Sequence, residues 1–530
     1  MTTTSQHPYH PIIYVRGFAA TQNEIEETVA DPYMGFNIGS TKSRMAWTGD
    51  VKRFYFESPL VRLMSDRNYE DVFVEGDDLV AADTADRPVP YRCMVIYRYY
   101  DEASKDFGNV KGAPPIEHFA RGLGELILRL RDKVCANPRN KVMPKDFRVY
   151  LVAHSMGGLV CRAFLQNTKL GSEEARGAVD KLFTYATPHN GVDMRIVRNV
   201  PGWATFGDVN NFNRERMAEY LDVPKGDDVS VVKNFPPERI FNLIGTNPRD
   251  YTVLGGISAW AAGDASDGLV RIENATTHGP GPDGRDVKSP RAFVYRSHSG
   301  HYGIVNSEEG YQNLTRFLFG ALRVDGILDI DDITLPPELD KARENGERVH
   351  ASYQFEIAVS VRGCQWQMTR REVRENSAIF RKYSDLFPGR PDTKRLPDRS
   401  QSPHLFTVFL DPNKSVKASK SVSFAFDLKV LVPDYEVGGT IFLKRHYEGG
   451  FILRELILVE AFPDAGATSG WRIKYGFQNV NPGKPGKDAV IRPINDGAAA
   501  APGLAFDIPL EQKTRPGFRG ILRIEACPWS

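Results

Sequence analysis

Cysteine is scarce in this chain. Only five of its 530 residues are cysteine: Cys93, Cys135, Cys161, Cys364 and Cys527. They are scattered, odd in number and without metal-ligand spacing, which excludes a disulfide framework and a zinc module and favours reduced thiols. Charge of one sign is lacking too. The 68 basic and 67 acidic residues leave a net charge of +1, so no global field draws the chain to nucleic acid or to an acidic membrane. No apolar run is long enough to span a bilayer. The start, MTTTSQHPYHPIIYV, has no basic stretch followed by an apolar core, so no signal peptide is read and a cytoplasmic location is expected by default. There is no glycine-rich phosphate loop before a helix and no clustering of metal ligands, so neither a cofactor nor a metal is expected. No basic stripe alternates with aromatics, and KSVKASK (414–420) reads as a solvated strand edge. Nucleic acid is not an expected partner.

What is present falls into two parts. Up to about residue 330, apolar strands alternate with helical patterns. PIIYVRGF (11–18), YRCMVIYRYY (91–100), FRVYLVAHS (147–155), DKLFTYATP (180–188), RIFNLIGTN (239–247) and RAFVYRSH (291–298) read as buried strands. Helices are expected at about 115–134, 156–168 and 308–323. Such alternation predicts an α/β domain with a mostly parallel sheet covered by helices on both faces. A charged, proline-bearing stretch at 331–348 reads as a linker. Residues 349–530 carry many short strand patterns and turn signals such as EVGG and YEGG, with one helix expected near 370–383. An antiparallel β-sandwich is the natural reading.

One short stretch carries chemistry. FRVYLVAHSMGGLVCRAFL (147–165) begins as an apolar strand, narrows to small residues around Ser155 and resumes as a helix. A turn that sharp forces the serine into strained backbone geometry. It also demands small residues two before and two after, here Ala153 and Gly157. Ser155 then stands above the sheet at the head of a helix, where the dipole favours developing negative charge.

With PIIYVRGF, YATPHNGV and SDGLV, this segment resembles the lipase and esterase branch of the α/β-hydrolase fold over roughly residues 10–323. It is similar in flavour to small bacterial triacylglycerol lipases and to the GPI inositol-deacylase-like and lecithin–cholesterol acyltransferase-like groups. The resemblance implies a serine nucleophile, then an acid, then a histidine, in that chain order. Asp267 matches the DGxV signal, with Asp264 as its rival. The base is a choice between His298 and His301. GHYGIV resembles the GHIGLL form of the small lipases, and on that match His301 leads. His278 lies too early, and His154 and His189 read as pocket wall. The oxyanion hole implied is the backbone N–H of Met156 together with that of Phe18, in a loop where Arg16 stands in place of the usual histidine.

Insertions at about 19–88 and 190–236 are expected to wall an acyl pocket. Phe54, Tyr55, Phe56 and Leu60 in the first, and Ile196, Val197, Trp203 and Phe206 in the second, are the candidates; the second insertion lies where lipases carry a lid. The reading is a serine ester hydrolase, a lipase or phospholipase, whose partners are an acyl-ester substrate and a lipid surface. The same parts would serve an acyltransferase, a thioesterase or a secreted lipase toxin. A non-catalytic scaffold on this fold is the alternative from another class.

Overall fold

The structure is a computed structural model. It describes residues 9–17, 40–45, 51–56, 58–72, 88–99, 114–192, 211–248, 266–298, 303–389, 395–412, 421–438, 445–478, 486–494 and 503–530. The chain divides into two compact units, Met1–Leu318 and Phe319–Ser530.

The first unit is built on β1 (Ile12–Val15), a hairpin of β2 (Ser40–Met45) and β3 (Val51–Phe56), then β4 (Glu70–Asp71), β5 (Cys93–Tyr97), β6 (Val149–His154), β7 (Val179–Tyr185) and β8 (Ile240–Gly245). A small hairpin of β9 (His278–Pro280) and β10 (Asp286–Lys288) precedes β11 (Arg291–Val294). Seven strands form one sheet in the order β11-β8-β7-β6-β1-β5-β4, and every neighbouring pair is parallel. β1, β5 and β6 are buried along their whole length, as strands covered on both faces must be. Helices supply the cover: α1 (Pro59–Arg67), α2 (Ile116–Ala136), α3 (Met156–Gln166), α4 (Glu173–Gly177), α5 (Arg214–Tyr220) and α6 (Glu308–Phe319). In α2, Ile116, Phe119, Ala120, Leu123, Ile127, Leu130 and Val134 are buried, the three- and four-residue spacing of an amphipathic helix on a sheet. β6 is the central strand, so its C-terminal end opens at the middle of the sheet edge, where this class of fold builds its sites.

Among the described residues the second unit is all-β apart from two short α-helices and single 3₁₀ turns. β12 (Leu322–Thr334), β16 (His404–Leu410), β21 (Arg492–Ile494), β22 (Gly503–Gln512) and β23 (Gly517–Pro528) form an antiparallel sheet in the order β16-β12-β23-β22-β21. The facing sheet runs β14-β13-β17-β18-β19-β20, from β13 (Arg348–Val361), β14 (Thr369–Arg371), β17 (Val422–Gly438), β18 (Arg445–Pro463), β19 (Trp471–Phe477) and β20 (Lys487–Asp488). β15 (Ile379–Lys382) also pairs with β13. One continuous apolar core includes Leu328, Phe355, Phe426, Ile457, Phe506 and Leu522, from strands of both sheets. The α/β sheet and the β-sandwich are thus the fold classes expected.

Details differ. The expected linker at 331–348 holds the end of β12, the helix α7 (Pro337–Glu344) and the start of β13. Its aspartates lie on one side of β12 and face arginines, Asp329 with Arg523 at 3.0 Å and Asp332 with Arg395 at 3.6 Å, while Leu328, Ile330 and Ile333 are buried on the other. The helix expected near 370–383 is instead β14 and β15 around a turn, followed by α8 (Tyr383–Leu386). Asn376 turns the chain at φ 51°, and the Glu372 N–H donates to Ser377 Oγ at 2.9 Å. The YEGG turn lies inside β18, where Val432 pairs with Gly450.

The end of the sheet opposite Ser155 holds an unusual charge. Lys181 is fully buried and its Nζ donates to the Leu318 carbonyl, near the end of α6, at 3.1 Å. Burial pushes its pKa down to about 7, with Asp180 opposing and Arg239 assisting. In the unfolded chain the group titrates near 10.5. The folded state therefore bears the cost of a buried charge at low pH and sheds its proton first as pH rises. Wild-type stability should rise between about pH 7 and about pH 10.5, by up to about 1.4 kcal/mol per pH unit. Lys181→Met should remove that contribution. Urea midpoints of both proteins at about pH 6.5 and about pH 9.5 check this; parallel shifts in the two would contradict it.

Candidate active site

The strand-to-helix corner has the strain its sequence implies. Ser155 sits at φ 51°, ψ −124°, a region that a residue with a Cβ enters only under constraint. The constraint is visible. The Ser155 N–H donates to the Tyr185 carbonyl at 2.9 Å, and the Ser155 carbonyl accepts from Gly158 N at 3.0 Å. A Cβ at Gly157 would overlap the carbonyl oxygens of Val15 and Arg16, and one at Gly158 would overlap Thr187 Oγ1. Only glycine lets α3 start so close to the end of β1.

Three side chains meet there, all buried: Ser155, Asp267 and His298. Ser155 Oγ lies 2.9 Å from His298 Nε2, and His298 Nδ1 lies 3.0 Å from Asp267 Oδ2. A carboxylate only accepts, so Nδ1 carries the hydrogen and Nε2 is left to accept from the serine hydroxyl. Asp267 is itself fixed. Its Oδ1 accepts from Leu269 N at 3.0 Å and Val270 N at 2.8 Å, and its carbonyl accepts from His298 N at 2.9 Å. The sequence match put His301 first; the ring that faces Ser155 and Asp267 belongs to His298, and His301 lies outside the described residues. β11 ends at Val294 and Ser297 then pairs with Gly303, which brings His298 to the end of β6. Asp264 and Phe18 also lie outside the described residues. Met156 opens α3, where the first backbone N–H groups have no partner within the helix.

Several neighbours were not legible as parts of this site. His154, read as pocket wall, donates from Nε2 to the His298 carbonyl at 3.0 Å. Burial, His298 and Arg16 hold its pKa well below the usual histidine value, so it is neutral. Tyr99 donates to the Arg16 carbonyl at 2.6 Å, which pins the loop after β1. Arg162, one turn or so along α3, is buried without a carboxylate: it donates to the carbonyls of His189 at 3.0 Å and Val229 at 2.9 Å, and to Gln166 Oε1 at 3.1 Å. Burial lowers its pKa to about 10. His189 is fully buried, with Nε2 3.2 Å from Thr184 Oγ1. His278 bridges Asp286 at 2.6 Å and Asp228 at 3.1 Å, away from the serine. A lone tyrosine hydroxyl or a buried arginine leaves no spacing signal, so nothing in the sequence could have found these.

The expected pocket walls divide. Leu60 is buried in α1, which is clamped to α6: Arg62 contacts Glu308 at 2.5 Å and Tyr311 donates to Asp66 at 2.8 Å. The side chains of Phe54, Tyr55 and Phe56, and residues Ile196, Val197, Trp203 and Phe206, lie outside what is described. The described end of the second insertion, with Phe212, Met217, Tyr220 and Leu221 buried, is packed structure. No cluster of metal-ligand side chains occurs among the described residues, and no helix among them is long and apolar enough to cross a membrane.

No protein of curated function matches the chain. Among solved structures, the chain is similar to the mature form of lipase BlEst2 from Bacillus licheniformis, at 12% identity over 57% of this chain and 88% of that one, TM-score 0.29. It is also similar to the propeptide form of the same lipase, at 9% over 87% and 96%, TM-score 0.31. Phospholipase PlaB from Legionella pneumophila gives 12% over 83% and 90%, TM-score 0.30. Residues 125–234, which carry β6, Ser155 and α3, match the family model of the PGAP1-like alpha/beta domain. With its parallel sheet and its strained serine between strand and helix, the first unit has the α/β-hydrolase fold, and within it residues 125–234 are similar to the PGAP1-like alpha/beta domain.

Proposed function

We propose that this protein is a serine carboxylic-ester hydrolase acting on acyl esters with apolar chains, with Ser155 as nucleophile, His298 as general base and Asp267 as the orienting acid. The observation that carries the proposal is the unbroken line from Ser155 Oγ through His298 to Asp267, at 2.9 Å and 3.0 Å, anchored on a serine at φ 51°. A serine hydroxyl is a weak nucleophile until a base takes its proton. His298 Nε2 accepts that proton as Oγ attacks the ester carbonyl. The imidazolium that forms is stabilised by Asp267, which stays ionised. The oxyanion develops at the head of α3, where the Met156 N–H and the helix dipole oppose its charge. The motif's resemblance assigns the second donor to the Phe18 N–H. His298 then gives its proton to the leaving alkoxide, and water repeats the cycle in reverse order to release the acid.

Ser155→Ala keeps the Cβ and removes the hydroxyl. It should lower kcat on a p-nitrophenyl ester by on the order of 10⁶ while leaving the thermal midpoint close to wild type. His298→Ala should approach the same loss, and His301→Ala should cost far less. Steady-state kinetics on the purified variants decide; a dead His301→Ala beside an active His298→Ala would reverse the assignment.

The substrate class has its own test. Burying a methylene is worth about 0.8 kcal/mol. Against p-nitrophenyl esters from acetate to palmitate, kept below micelle formation, kcat/KM should rise roughly three- to fourfold per methylene until the pocket is full. A maximum at acetate would remove the apolar-chain claim and leave the ester hydrolase standing.

A further inference from the structure

The β-sandwich holds a cleft of about 570 Å³ between its two sheets, open to solvent at one side where Thr468, Pro493 and Pro528 are exposed. That volume lies within the roughly 300–1,000 Å³ of small-molecule sites. Its lining comes from both sheets: Phe424 and Val459 from one, Phe506 and Ile524 from the other, with Trp471 and Ala461 beside them. Among the described residues no lining residue is charged, and the polar side chains are Thr468 and Ser469, in the turn between β18 and β19. Left unoccupied, this apolar lining stands against water, and covering it with an apolar chain would be favourable. Water gains little there, because it needs polar partners that this lining does not offer.

The shape narrows the choice of occupant. Along β23 the lining residues are Ile524, Ala526 and Pro528, alternate positions over about 13 Å of strand. Val422 with Phe424, and Val459 with Ala461, repeat that alternation on the facing sheet. The space is therefore a slot that follows the strands between sheets about 10 Å apart, apolar along its length and with hydroxyls from one turn. Val490, next to the lining residue Ile491, is 86% exposed, an apolar side chain standing in water beside a lining strand. We propose that this slot binds the tail of a single-chain amphiphile, a long-chain fatty acid or a monoacyl lipid, separately from the ester-cleaving site.

The test uses full-length Ser155→Ala protein, so its readout does not depend on turnover. A diazirine-bearing palmitic acid, below its micelle threshold, is photo-cross-linked, and labelled peptides are mapped by mass spectrometry with and without excess palmitic acid or palmitoyl-lysophosphatidylcholine. Displaceable labelling of β17, β18, β22 or β23 peptides is the expected result, and the two competitors separate a free acid from a monoacyl lipid. Ala461→Phe and Ala526→Phe, at half-buried lining positions, should each weaken saturable palmitate binding at least tenfold with the thermal midpoint retained. Labelling confined to the first unit, or no displaceable labelling at all, would overturn the proposal. So would unchanged affinity in both phenylalanine variants. If either variant fails to fold, the labelling pattern of the Ser155→Ala protein still decides.

Discussion

Ser155 is held at a backbone conformation that its own side chain disfavours, and the rest of the site depends on that constraint. A strained residue persists only when its surroundings over-determine it. Here β7 takes the serine N–H, two glycines admit the crossing of α3 over β1, and the buried Arg162 fastens the second turn of α3 to the loops at His189 and Val229. The last of these is a costly device. For a guanidinium buried among carbonyls, desolvation outweighs the attraction of Asp228, so it needs every hydrogen bond it makes. Loops that give up their carbonyls to it are correspondingly fixed in place. Rigidity at the corner is thus supplied by the helix behind it as well as by the sheet in front.

Much of this was readable from residue order. The apolar strands of the first unit announce themselves because they are covered on both sides, and Ser155 announces itself because a sharp corner needs Ala153 and Gly157. The motif that singled out Asp267 coincides with a turn in which its carboxylate accepts from the Leu269 and Val270 N–H groups. The choice between His298 and His301 was beyond such reasoning. Both follow the same strand, and no local pattern separates them; His298 Nε2 lies 2.9 Å from Ser155 Oγ, and His301 lies outside the described residues. In the second unit, β12 looked like a charged linker because its aspartates dominate the composition. Their arginine partners, Arg523 and Arg395, come from far along the chain, and no local window contains them. The expected helix near 370–383 failed for a similar reason, since the pairing of both flanks with β13 outweighs the local helical pattern.

The two units use apolar surface differently. In the first, aromatic and aliphatic side chains fill the space between helices and sheet, down to the stacked rings of Phe183 and Phe241 at 5.0 Å. Even its buried lysine is covered by the rings of Tyr150 and Phe317. In the second, the core is equally apolar but leaves room between the sheets. Its long paired strands, of which β17 and β18 run for 17 and 19 residues, leave between the sheets an apolar cleft that opens to solvent.

His154 and Ser155 are consecutive, and this gives the site a shared datum. One residue presents the hydroxyl and the other holds the carbonyl of the residue whose ring meets it. His298 in turn is tied by its N–H to the carbonyl of Asp267. Each of the three positions is thus surveyed from its neighbour, by a main-chain bond as well as by a side chain. When the sheet flexes, the end of β6 carries the serine and the anchor of the histidine in the same direction, so their separation changes far less than their position. Errors of placement cancel within the group, and the alignment survives motions that would disperse three independently mounted side chains.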